Sequence, residues 1–200
     1  MPQKLVAEFF GTTTLAFAVL AALSISSPLI STPIVAGLVL LLFVYSISAI
    51  SGAHLNPAVT VGAWAINKIP TKEALLYITV QCLGGFAAYV LAFNLFTDIP
   101  SFGGGLVAES YTDLFAEFVG MIVFSFGIAS VIYKKTNETA SGLVVGGSFT
   151  LGIVLALAAG SSGILNPAVG IAIGIVSFSN IAGALLGSVV GMHLYRYLVR

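Results

Sequence analysis

Two triplets, Asn56-Pro57-Ala58 and Asn166-Pro167-Ala168, are the residues of this chain whose types and spacing can act on a passing molecule. In each, Asn can take the N-cap and Pro the first helical position, where a missing N–H is harmless and the fixed φ starts the turn. With backbone N–H groups engaging the Asn side-chain oxygens, both NH₂ groups are expected to point into a shared lumen, where one oxygen can accept from both. The chemistry is recognition of a hydrogen-bond acceptor, not bond making. Two helix N-termini also bring ~+0.5 charge each to the same point, which repels cations and hydrated protons. A water oriented there loses its place in a proton-relaying chain, so a neutral solute passes while proton relay is discouraged.

Other chemistry-bearing residues are few. Glu8 and Glu117 lie inside apolar runs, and an acid in such a place is by default a candidate ion or proton site. Each occupies the matching place of a repeated pattern, which favours a structural role as acceptor for unpaired backbone N–H groups of re-entrant loops. His54 and His193 are the only histidines and fall at unrelated places. Cys82 is alone, so neither a disulfide framework nor a cysteine metal cluster is available. No phosphate-binding glycine loop, metal-ligand spacing or nucleophile–base pair is present, so no enzyme, cofactor or metal is expected. Seven basic residues and zero formal net charge disfavour a nucleic-acid partner.

The elements that position these residues follow from composition. With 58% hydrophobic and 7% charged residues and a mean hydropathy of +1.11, the chain's solvent is the lipid bilayer. At ~20 residues per span, 200 residues hold six short-looped helices and little else. The expected spans are 5–24, 33–50, 73–96, 113–133, 142–158 and 178–199; the first is read as retained, being too long for a signal-peptide core. Residues 56–66 and 166–176 have ~10 residues each and reach only ~15 Å, half of the ~30 Å hydrocarbon core. Lys4, Lys68, Lys72, Lys134, Lys135, Arg196 and Arg200 then all fall on one side. By the positive-inside rule that side is cytoplasmic, with both termini, while Asp98, Glu109 and Asp113 face out.

Ala7-Glu8-Phe9-Phe10-Gly11 matches Ala116-Glu117-Phe118-Val119-Gly120, and Leu55-Asn56-Pro57-Ala58-Val59 matches Leu165-Asn166-Pro167-Ala168-Val169. Three spans separate the two copies, an odd number, so the halves, about 1–100 and 105–200, insert with opposite topology. The expected fold is an all-α membrane protein of one channel domain: six transmembrane helices plus two re-entrant half-helices in an inverted repeat. The half-helices enter from opposite leaflets and meet at their N-terminal ends. Gly84, Gly85, Ala88, Gly183, Gly187 and Gly191 suit the close helix packing this needs.

With Ala7 to Thr12, Ser51 to Thr60 and Asn166 to Ala168, the sequence resembles the aquaporin, or major intrinsic protein, family over essentially its whole length. The resemblance implies a homotetramer with one pore per subunit, and places His54 in the cytoplasmic half of the pore. Family members commonly carry Arg after the second Asn-Pro-Ala, in a narrow outer filter; Val169 stands here. Carrying the remaining filter places across by their spacing gives Ala36, Val154 and Gly163. Four small or aliphatic residues imply a wide, uncharged filter. Glycerol facilitators also commonly have Asp where Gly170 stands, whereas the pattern resembles bacterial members lacking the filter Arg, which are associated with metalloids.

The resulting expectation is a passive channel for small neutral solutes, glycerol-like polyols or metalloid hydroxides such as arsenite, with water, in a bacterial inner or plasma membrane. Tyr45 and Phe149 are the aromatics able to narrow the route, and 134–141 and 100–110 are the loops long or polar enough to gate it. Three other readings stand beside it: a water-selective channel, a secondary transporter and a non-conducting junction protein.

Overall fold

The structure, a computed structural model, describes residues 1–25, 31–96, 99 and 110–200. Among these, eight α-helices and one 3₁₀ turn follow in order: α1 (Pro2–Ser24), α2 (Thr32–Ser51), α3 (Pro57–Ala65), α4 (Thr71–Leu95), α5 (Tyr111–Ile132), the 3₁₀ turn Glu138–Ala140, α6 (Ser141–Ala158), α7 (Pro167–Ile173) and α8 (Phe178–Leu198). Six of them, counting the 3₁₀ turn with α6, are long and apolar enough to cross a membrane. Helices α3 and α7 are not, at about 14 Å and 10 Å of rise. The chain is therefore an all-α, multi-pass membrane protein with two half-helices. Asp98, Glu109 and the 100–109 part of the second candidate gating loop lie outside the described residues.

Outward faces stay apolar, as with Val6, Leu38, Leu75, Phe93, Leu143 and Leu186, because lipid asks for no polar face. Burial instead follows small residues. Helix α1 packs on α2 and α4, α5 packs on α6 and α8, and α2 meets α6 across the middle. On α8, Gly183, Gly187 and Gly191 face the α5 backbone at Leu114, Phe118 and Ile122, where a Cβ would collide with carbonyl oxygens. These glycines let α5 and α8 come close.

Each half-helix packs on the last helix of the other half, α3 on α8 and α7 on α4. Gly85 of α4 lies against the Ala168 carbonyl, with no room for a side chain. Helix α7 is shorter than the 166–176 segment expected from hydrophobicity. Gly174 takes φ 74° and ends it, and the Ile175 N–H turns back to the Gly170 carbonyl at 3.0 Å. That is a left-handed helix cap, which an apolar count cannot see. Asn67, at φ 61°, ends α3 in the same way, with Lys68 N–H to Ala63 O at 2.8 Å.

Candidate functional site

The segments before the two half-helices are irregular backbone in the interior of the bundle, so each N–H needs a partner from the protein. Glu8, fully buried on α1, accepts from the Ser51 hydroxyl at 2.7 Å, His54 N–H at 3.0 Å and Leu55 N–H at 2.7 Å. Glu117, fully buried on α5, accepts from the Ser161 hydroxyl at 2.5 Å, Ile164 N–H at 2.8 Å and Leu165 N–H at 2.6 Å. The same three bonds recur about 110 residues on. Ser51 and Ser161 also accept from Ala53 N–H and Gly163 N–H. Leu55 and Leu165 adopt matching φ of 48° and 50°, a cost that the carboxylate bonds offset.

Beyond this shared set the first half has more. Glu8 also accepts from Gln81 Nε2 at 2.8 Å, and Gln81 bonds the Thr60 hydroxyl, which lies 3.1 Å from His54 Nδ1. The Tyr77 hydroxyl donates to the Ser51 carbonyl at 2.8 Å, and its ring meets His54 edge-on. Thr60, Tyr77 and Gln81 were not singled out by sequence. A Gln in an apolar span was the available signal for one of them.

The two triplets act as expected on the oxygen side. Asn56 Oδ1 accepts from Ala58 N–H at 2.8 Å, Asn166 Oδ1 from Ala168 N–H at 3.0 Å, and Pro57 and Pro167 open their helices. The nitrogen side differs. Asn56 Nδ2 donates to the Leu165 carbonyl and Asn166 Nδ2 to the Leu55 carbonyl, both at 2.9 Å. One hydrogen of each amide is thus bound to the opposite turn, leaving one each for any other acceptor. The cause is the buried loop carbonyls, which also need a donor. These crossed bonds bring the two half-helix N-termini together.

Two cavities flank this junction. One, of about 410 Å³, is lined by Lys4, Leu40, His54, Val59, Lys68 and Glu73 among others. Its mouth carries the Lys4–Glu73 ion pair at 2.7 Å, with the Lys68 ammonium 4.5 Å from the Tyr133 ring centre. The other, of about 200 Å³, is lined by Ala36, Phe149, Ile153, Gly163 and Val169 among others, with no charged residue among the described residues. Of the four residues carried across as filter places, Ala36, Gly163 and Val169 line this cavity together and Val154 does not. Val154 is 45% exposed on the outside of α6, and Ile153, 6% exposed, takes the inward place. One residue along a helix turns a side chain by about 100°, enough to exchange the inward and outward places. Tyr45 lines neither of these but a neighbouring cavity of about 750 Å³ that shares Val44, Ser48 and Val131 with the His54 one, its hydroxyl bonding the Thr139 carbonyl at 2.6 Å.

Six spanning helices enclosing two half-helices, joined N-terminus to N-terminus by crossed Asn bonds, define a polytopic membrane protein of the re-entrant-loop class. The chain belongs to the major intrinsic protein family, whose model matches residues 1–195. It is 33% identical to aquaporin NIP3-1 of Arabidopsis thaliana over 76% of this chain and 52% of that protein. With aquaporin NIP2-1 of the same plant the identity is 33%, over 77% of this chain and 59% of the relative. The chain thus spans little more than half the length of these relatives. The fold is also similar to the X-ray structure of the aquaglyceroporin from Plasmodium falciparum, with a TM-score of 0.72 at 19% identity, covering 98% of this chain and 96% of that one.

Proposed function

We propose that the chain is a passive channel for small uncharged solutes and water, admitting glycerol-like polyols and metalloid hydroxides such as arsenite. The observation that carries this reading is the cavity around Val169, which has no charged residue among its described lining residues and joins aliphatic walls to the Ser162 and Thr32 positions. A neutral molecule with several hydroxyls sheds water there at less cost than an ion does, and the Thr32 and Ser162 hydroxyls offer it hydrogen-bond partners. It then reaches the junction where Asn56 and Asn166 each keep one N–H and where two helix dipoles oppose cations. His54 lines the way out on the side of the basic residues.

In this reading residues 1–100 and 105–200 are the two inverted repeats. The subunits assemble as a homotetramer, and both termini face the cytoplasm of a bacterial inner or plasma membrane. Glu8 and Glu117 hold the loops and carry no ion. The support for a holding role is that each carboxylate's bonds go to backbone N–H groups, a serine and, for Glu8, Gln81. Water selectivity is the second reading, favoured by the small volume around Val169.

Paired water, glycerol and arsenite flux in proteoliposomes of the purified protein decides between them. Solute flux well above that of empty vesicles is expected. Water flux alone would leave the second reading; uptake that saturates and collapses with an ion gradient would mean a transporter instead.

A further inference from the structure

The two cavities are distinct among the described residues. They share no lining residue among the described residues: the one holding His54 is bounded by Leu40, Val145 and Phe124, the one holding Val169 by Ala36, Ile153 and Phe149. Ala36 and Leu40 are one turn apart on α2, and Val145 and Phe149 one turn apart on α6, so the partition is about 6 Å thick. The Asn-Pro-Ala turns lie at its level, since Val59 of one half-helix reaches the first cavity and Val169 of the other reaches the second.

An aromatic pair fills this partition. The Phe124 and Phe149 ring centres are 4.5 Å apart with planes tilted by 34°, and the two residues are 1% and 2% exposed. Neither ring offers a passing water or hydroxyl a strong hydrogen-bond partner. A layer of this kind between two hydrated spaces empties of water and closes a pore without any charge.

We propose that Phe124 and Phe149 form the gate of this protein, a two-ring plug that closes the path beside the Asn-Pro-Ala turns. The proposal rests on the channel reading and deepens it, placing the rate-limiting barrier at the partition between the cavities. Phe124 is the moving part. It borders the larger cavity, about 410 Å³ against about 200 Å³ on the Phe149 side, so its ring can swing aside there without displacing backbone. Phe149 is the seat, held between Ile153 and the turn bearing Val145 on the same face of α6.

The test is water and glycerol flux, with the activation energy of each, in proteoliposomes of wild type, Phe124→Ala and Phe149→Ala. Both variants are expected to raise flux about tenfold, equivalent to removing roughly 1.4 kcal/mol from the barrier, with a lower activation energy. If wild type conducts and both folded variants keep its flux and activation energy, the plug is refuted and the channel reading stands. If wild type and both folded variants conduct neither molecule, both readings fall. Phe124→Leu and Phe149→Leu serve where alanine prevents folding, because they keep apolar contact but remove the ring; the same two outcomes apply to them.

Discussion

At the scale of single residues, the buried acids test whether the interior carboxylates are scaffolding or transport chemistry. Replacing Glu8 by Gln puts an NH₂ where two donors already point. Gln81 can turn its amide to present oxygen and Ser51 can rotate its hydroxyl, but a backbone N–H, of His54 or Leu55, must be orphaned. The same reasoning at Glu117 orphans the N–H of Ile164 or Leu165. Each variant is therefore expected to lose about 1–3 kcal/mol, the cost of one buried unsatisfied donor, and the two losses should be similar despite the extra bond at Glu8. Thermal unfolding of the detergent-solubilised protein checks this. A stable Glu8→Gln protein with altered ion-gradient dependence would assign Glu8 to transport. The acids were legible in sequence because they recur with the pattern around them; Thr60, Tyr77 and Gln81 were not, because no second copy marks them.

At the scale of elements, the position of α7 depends on how closely α4 can approach it. A methyl group at Gly85 would collide with the Ala168 carbonyl, so Gly85→Ala must push the second half-helix away from the junction, at a cost of roughly 1–3 kcal/mol. Gly147 on α6 has nothing within 4 Å of its missing Cβ. Gly147→Ala is thus expected to be neutral or to stabilise by up to about 1 kcal/mol through helix propensity. Melting temperatures and flux measured together should show loss of both for Gly85→Ala and of neither for Gly147→Ala. Equal behaviour would mean that the approach of α4 to α7 is not tight. Hydrophobic run lengths read the six long helices to within a few residues, because lipid thickness sets them. They overran α7, since Gly174 ends that helix through a backbone conformation and not through polarity. The filter spacing carried across from the family likewise missed the inward face of α6, where Ile153 and not Val154 lines the cavity, because one residue along a helix turns the side chain by about 100°.

For the whole molecule, a path through two cavities and a partition is a set of barriers in series, whose resistances add. Replacing Val169 by Arg inserts a charged, bulky group into a cavity without a carboxylate among its described lining residues. The longer side chain narrows the cavity, and its guanidinium has the Thr32 and Ser162 hydroxyls among the polar groups of the described lining. Glycerol and arsenite flux should fall more than water flux, because a larger solute loses more from the same narrowing. How far they fall depends on the other barrier. With Phe124 in place, the proposed aromatic partition holds most of the resistance and masks part of the effect. With Phe124→Ala, which lines the other cavity, the Val169 cavity holds a larger share, so adding Val169→Arg should lower solute flux by a greater factor than it does in the wild type. Flux measured in the four proteins of this cycle separates the two barriers. An equal factor in both backgrounds would mean that they do not act in series, and unchanged solute flux in both would remove residue 169 from the constriction altogether.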